Sequence, residues 1–200
     1  MKKNNVIISI LSLCVLGLII ALVVLVNNSA STSNSSQNLN TVKDIDDLVG
    51  ADAPDFSLPD INGVIYSKEA LKGKRIVLFF NEGLMCYPAC WSQVASLGAD
   101  TRFNDGTTAV FSVVVDPPSE WRNAIAKMPT LAVATVLFDT NRAISKKFGM
   151  LTTPSSMHYG SLPGHSYVVI DKNGKIIHVY DDPNMALHND QLVKILSALN

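Results

Sequence analysis

Residues 76–91 read IVLFFNEGLMCYPACW, and the fold turns on this stretch. IVLFF is a continuous β-branched and aromatic run, the pattern of a strand buried on both faces. NEG interrupts it, and ACWSQVASLGA (89–99) then returns to apolar positions at helical spacing. The junction holds two of the chain's three cysteines, Cys86 and Cys90, with Pro88 between them. Proline suits the first helical position, where its missing N–H would be unpaired anyway. Pro88 is therefore expected to open the helix, Tyr87 to cap it, and Cys90 to fall in the first turn. Unpaired N–H groups and the positive end of the helix dipole favour a thiolate there, lowering the Cys90 pKa. A turn of the loop can bring Cys86 within disulfide range, with Cα atoms about 4.4–6.8 Å apart.

Three uses of the pair stay open at this level. It can cycle between dithiol and disulfide, clamp a soft metal such as Cu(I) between two thiolates, or form a fixed staple. A bridge this short closes too small a loop to stabilise much. The pair also sits at the carboxyl end of a strand, where open α/β sheets place their active crevices. Both points favour function over the staple.

Working outward, ADAPDFSLPDINGVIYS (51–67) reads as extended chain with a short hairpin at Asn62-Gly63. TAVFSVVV (108–115) is a second buried strand, followed by a helix near 119–127. TVLFD (135–139) is a short strand, and NRAISKKFG (141–149) a helix closed by glycine. Residues 150–165 are irregular, rich in Thr, Ser, Pro and Gly. SYVVID and KIIHVY flank Lys172-Asn173-Gly174, a hairpin signal. HNDQLVKILSAL ends the chain as an amphipathic helix capped by Asn189 or Asp190. Strands alternating with helices imply an α/β fold: a central, mostly parallel sheet with helices on both faces and an antiparallel hairpin at one edge.

Among the histidines, His165 stands just before SYVVID, in the segment expected to face the cysteine loop. His178, in an edge strand, and His188, before the last helix, are expected to be solvated. Met85, Met150, Met157 and His158 offer soft donor atoms, although methionine more commonly fills core gaps. Glu82 is a candidate proton shuttle, with a solvated loop carboxylate as the plainer reading. Trp91 and Trp121 read as packing.

The N-terminal part is different in kind. VIISILSLCVLGLIIALVVLV (6–26) has no charge and no proline, long enough as a helix to cross a bilayer's core of about 30 Å. It is expected to be an uncleaved transmembrane anchor, with Cys14 as one of its apolar residues. Lys2 and Lys3 precede it and the next basic residue is Lys43, which puts residues 1–5 in the cytoplasm and the rest outside, on the cell membrane. Residues 27–43, almost all Ser, Asn, Thr and Gln, suit a flexible linker. Residues 44–200 form the outer domain. It holds all 17 acidic residues and lacks three of the 16 basic ones, so it has no basic excess for nucleic acid.

Four segments carry a resemblance. APDFSLPDINGVIYSKEALKGKRIVLFF (53–80), SVVVDPPSEW (112–121), FDTNRAISKKFGM (138–150) and HSYVVIDKNGKIIHVY (165–180) together resemble the peroxiredoxins and membrane-tethered thioredoxins, over about residues 50–180. That resemblance implies a thioredoxin-like fold, a thiol oxidoreductase with no required cofactor, and a peroxide or a thiol/disulfide protein as partner. Peroxiredoxins place the attacking cysteine at the end of Pro-x-x-x-Thr-x-x-Cys, supported by an arginine ahead of the hairpin. Carried over, Cys90 takes the attacking place and Cys86 resolves the intermediate. Gly83 stands for the proline, Tyr87 for the threonine and His165 for the arginine, three departures from the pattern. The Cys-x-x-x-Cys spacing instead resembles the Sco-type copper chaperones, which implies an alternative: copper held by Cys86, Cys90 and His165. Trp91 replaces the proline that follows the second cysteine in those proteins.

Overall fold

The computed structural model describes residues 44–199. The apolar run 6–26, the linker 27–43 and Cys14 lie outside them. Among the described residues no helix is long and apolar enough to cross a membrane.

IVLFF forms the core of β3 (Arg75–Phe80), all of whose residues are buried. β4 (Thr108–Val114) and β5 (Val136–Phe138) run parallel to it on one side. β6 (Ser166–Ile170) and β7 (Ile176–Asp181) add antiparallel on the other. The order β5-β4-β3-β6-β7 makes β3 central. Two pairings are parallel and two antiparallel, so the sheet is mixed, less parallel than the helix–strand alternation suggests. β1 (Ser57–Pro59) and β2 (Ile65–Ser67) form the expected separate hairpin, with Gly63 at φ 82 in its turn.

Alternate residues of β3 supply two cores. Ile76, Leu78 and Phe80 face Phe56, Leu58, Ile144 and Phe148, on the side of the hairpin and α3 (Ala143–Lys147). Val77 and Phe79 face the other side, packing with α1 (Ala89–Ala99), α2 (Pro118–Lys127) and α4 (Asn189–Ser197) through Trp91, Val94, Trp121 and Leu192. Each such fully buried side chain stabilises by roughly 1.5–3 kcal/mol relative to exposure. Gly149, at φ 72, ends the α3 segment as expected.

Two caps differ from expectation. Pro88 is itself the N-cap of α1, so Cys90 is its second residue but still in the first turn. His188, not Asn189 or Asp190, caps α4, because the Asn189 side chain is drawn inward to Gln93, Ser96 and Asp100.

Candidate functional site

β3 delivers the chain to its carboxyl end, and a short tied loop carries it into α1. The Gly83 N–H donates to Asn81 Oδ1 (2.9 Å), which folds the chain back directly after the strand. Gly83–Met85 make one 3-10 turn, and Trp91 Nε1–H donates to the Gly83 carbonyl (3.1 Å). The Cys90 N–H donates to the Cys86 carbonyl (2.9 Å), setting the two Cα atoms 5.3 Å apart. The two sulfurs are joined in a disulfide.

Gly83 has φ 59, and a Cβ there would run into the Asp116 carboxylate and the Val114 side chain. Asp116, at the end of β4, accepts the Leu84 N–H at 3.1 Å, so only glycine lets the loop settle on it. Gly83→Ala is expected to lower stability by at least about 2 kcal/mol, from left-handed backbone strain plus the clash. Thermal unfolding of the oxidised protein measures it, and an unchanged midpoint would contradict this account of the loop.

His165 meets the cysteines as its position before β6 suggests. Ser166 pairs with Phe80, so β6 begins where β3 ends. The His165 ring is fully buried, T-shaped to Phe79, with Nδ1 3.6 Å from Cys90 Sγ. Nε2 lies 3.2 Å from the Ala186 carbonyl and 2.9 Å from the Tyr167 hydroxyl. A carbonyl only accepts, so Nε2 carries the proton in the neutral ring and the Nδ1 lone pair is left toward Cys90. Its backbone is fixed too: the His165 N–H donates to Ser155 Oγ (2.6 Å), and its carbonyl accepts from the Asp182 N–H (2.9 Å).

Several contacts at the site have no signal in the local sequence pattern. Met185 Sδ lies 3.7 Å from Cys86 Sγ. Its loop is shaped by Asp182, which accepts the N–H groups of Asn184 (2.9 Å) and Ala186 (2.7 Å), with Met185 at φ 52 between them. His188 Nε2 bonds the same carboxylate at 2.7 Å, so His188 is part of the site's frame rather than solvated. Glu82 is likewise not a solvated loop acid: it is buried, accepts the His158 N–H (3.0 Å), and lies 3.1 Å from His158 Nδ1. Met150 is core, whereas Met85 and Met157 are exposed. His178 is half-buried in β7, its pKa lowered by burial. Trp91 and Trp121 pack as expected. Tyr167, two residues beyond His165, was legible as a neighbour on the same strand face.

Both cysteines are buried, Cys90 at 1% and Cys86 at 3% exposed, while the flanking Met85 and Tyr87 are 60% and 69% exposed. The donor atoms of Cys86, Cys90 and His165 lie within 4.8 Å of one another.

Burial shifts two groups here toward their neutral forms. His165 is pushed down to about 4, with burial as the main cause. Asp116 is pushed up to about 6, by burial first and then by the charge of Glu120, against the Leu84 N–H. The unfolded chain's histidine takes its proton near 6.5, so between 4 and 6.5 the unfolded state binds more protons and the His165 contribution to stability grows with pH. Asp116 behaves oppositely: between 3.8 and 6 the folded state holds the extra proton, so its contribution falls as pH rises. The slopes offset each other in the parent protein. Asp116→Asn removes one of them, and its stability relative to the parent is expected to rise by roughly 2 kcal/mol from the acid to the neutral end of that window. Urea unfolding across the window checks this; parallel curves for the two proteins would contradict it.

Comparison with known proteins follows the same line. Residues 49–179 match the AhpC/TSA family. The chain is 31% identical over 157 residues to a chloroplastic peroxiredoxin Q of Sedum lineare, covering 75% of this chain and 78% of that protein. It is 29% identical over 147 residues to peroxiredoxin Bcp of Escherichia coli strain K12, covering 72% and 92%. In structure it resembles Enterococcus faecalis AhpC with a TM-score of 0.65 at 18% identity, over 76% of this chain and 91% of that one. The chain belongs to the AhpC/TSA family, as a peroxiredoxin-like thiol oxidoreductase of thioredoxin-like fold.

Proposed function

We propose that the chain is a membrane-tethered, extracytoplasmic thiol peroxidase in which Cys90 attacks the peroxide and Cys86 resolves the product. The observation that carries this reading is the Cys86–Cys90 disulfide at the start of α1, with His165 Nδ1 3.6 Å from the Cys90 sulfur. In the reduced protein the Nδ1 lone pair receives the Cys90 thiol proton. The helix N-terminus stabilises the thiolate, and a thiolate alongside favours the imidazolium that burial alone disfavours. The thiolate attacks the outer oxygen of a hydroperoxide and the O–O bond breaks. The departing alkoxide takes the proton held by His165 and leaves as an alcohol, and Cys90 becomes a sulfenic acid. The Cys86 sulfur then attacks Cys90, the hydroxyl leaves with the Cys86 proton as water, and the disulfide closes. An external dithiol supplies the two electrons that reopen it, attacking Cys86 and expelling Cys90 as the stabilised thiolate.

The tether rests on the run 6–26 and the lysines before it. Membrane fractionation tests it, together with protease accessibility of the domain in intact cells: a chain released without detergent, or protected from external protease, would contradict it. Peroxide consumption coupled to a dithiol tests the activity.

A second reading has one observation in its favour: the three donor atoms within 4.8 Å. Once the disulfide is reduced, Cys86, Cys90 and His165 are a donor set that suits copper, in a carrier that turns nothing over. Titrating reduced protein with Cu(I) separates the two readings. The peroxidase reading expects turnover without metal and no tight one-to-one complex; the carrier reading expects the reverse.

A further inference from the structure

Two consecutive acids where β7 ends grip His165 from different sides, since neighbouring strand residues point to opposite faces. Asp181 accepts the Ser155 hydroxyl, the Ser155 N–H (2.9 Å) and the Ser166 hydroxyl (2.7 Å), and Ser155 Oγ in turn accepts the His165 N–H. Asp181 thus acts on the His165 backbone. Asp182 does more. Its N–H donates to the His165 carbonyl (2.9 Å), and its carboxylate takes the Asn184 N–H on Oδ1 and the Ala186 N–H on Oδ2. Those two bonds close residues 183–187 into a loop that hands two atoms to the site. The Ala186 carbonyl lies 3.2 Å from His165 Nε2, and Met185 Sδ lies 3.7 Å from Cys86 Sγ.

A turn alone does not need a buried charge. Asparagine forms the same side-chain-to-backbone turns, and burying an ionised carboxylate is costly unless it is paired. Asp182 is 1% exposed. Burial pushes its pKa up, but His188 and the Ala186 and Asn184 N–H groups outweigh burial and hold it below the usual carboxylate range, so it stays charged. His188 is itself held by the cysteine helix: its N–H donates to Oε1 of Gln93, a buried residue of α1, at 2.8 Å. The charge is felt at the His165 ring. Burial is the main force against a protonated ring there and His188 adds to it, whereas the Ala186 carbonyl, Asp182 and, more weakly, Asp181 favour the proton.

We infer that Asp182 is the positioning residue of the Cys90–His165 pair: its carboxylate seats the Ala186 carbonyl that keeps the His165 proton on Nε2, and so keeps the Nδ1 lone pair on the Cys90 sulfur. The inference rests on the reading that His165 receives the Cys90 thiol proton. Without the carboxylate, residues 183–187 lose the bonds that hold the Ala186 carbonyl in place. The ring is then free to carry its proton on Nδ1, and in that form it offers Cys90 an N–H instead of a lone pair. The proton passes from Cys90 Sγ to Nδ1 in either description, and no bond to Asp182 forms or breaks. Asp182 acts through His165 alone and touches neither the peroxide nor the reacting sulfur.

The test compares the full chain with Asp182→Asn, which keeps the shape and removes the charge. Nitrogen-15 NMR of the oxidised, histidine-labelled protein at neutral pH, where the His165 ring is neutral, reads the tautomer; the His165 signals are those missing from His165→Gln. The parent is expected to show a bare Nδ1 and a protonated Nε2, and Asp182→Asn a mixture of the two tautomers. This readout does not depend on turnover, and a merely structural turn would not move it. In the reduced protein, the rate of attack on hydrogen peroxide is expected to fall at least about tenfold in Asp182→Asn. Both changes are required. A parent-like tautomer or a parent-like attack rate overturns the inference, even where thermal stability falls. A slow His165→Gln beside a parent-like Asp182→Asn overturns it alone and leaves the function of His165 standing, whereas a His165→Gln as fast as the parent removes both. Should Asp182→Asn not fold, His188→Gln carries the test: it keeps the carboxylate but takes away its ring partner. Its attack rate is expected to fall about threefold with the same tautomer shift, and parent values of either overturn the inference.

Discussion

Cys90→Ser removes peroxide turnover, a fall of at least about 10³-fold, because Cys90 is the sulfur in the first turn of α1 with His165 Nδ1 3.6 Å away, and Cys86 alone cannot close the cycle. Cys86→Ser behaves differently. Its Cys90 still sits in the first turn of α1 facing His165, so one equivalent of peroxide is consumed and the reaction then stops. A stopped-flow peroxide assay without added reductant distinguishes the two variants. The parent and Cys86→Ser give a burst of one equivalent, and Cys90→Ser gives none. A burst from Cys90→Ser would reverse the roles of the two cysteines.

His165→Gln has the next largest effect, a loss of roughly 10²–10⁴-fold in the rate of attack. The ring is the one side chain described here that brings a lone pair to the Cys90 sulfur, and it is held there from both ends. The Ala186 carbonyl keeps the proton on Nε2, the Tyr167 hydroxyl packs beside it, and Ser155 and Asp182 fix the backbone. Glutamine keeps a polar group in the buried space but cannot accept and release a proton. The rate of Cys90 alkylation against pH gives a readout that a merely structural role would not move. The midpoint is expected to rise in His165→Gln, while Tyr167→Phe, which leaves the Ala186 contact in place, shifts it less. Equal profiles for all three proteins would remove His165 from the chemistry.

The frame of this site was legible in sixteen residues. IVLFF identifies the central strand because burial on both faces leaves no polar alternation, and Pro88 fixes the start of α1 to within one residue. His165 was findable from its place before a strand, since a strand paired antiparallel to β3 has to begin at the end where β3 stops. Other partners were not legible, for a physical reason. Met185 meets Cys86 across 99 positions of chain, His158 meets Glu82 across 76, and Asp116 meets Leu84 across 32. Periodicity and turn chemistry act over a few residues, whereas these contacts are set by which loops the sheet order brings together. The order β5-β4-β3-β6-β7 places the ends of β3, β4 and β6 side by side. That arrangement turns Glu82 from an expected solvated acid into a buried one, and Asp116 into the support beneath Gly83. The cap of α4 shifted for a similar cause: a tertiary pull on the Asn189 side chain outweighs its local preference for capping.

The central claim is that Cys90 receives the peroxide oxygen while Cys86 waits beside it. Trapping sulfenic acid with dimedone in Cys86→Ser and Cys90→Ser, each reduced and then given one equivalent of hydroperoxide, tests it most directly. Mass spectrometry is expected to find the adduct on Cys90 in the first variant and no adduct on Cys86 in the second. An adduct on Cys86 with none on Cys90 would contradict the account.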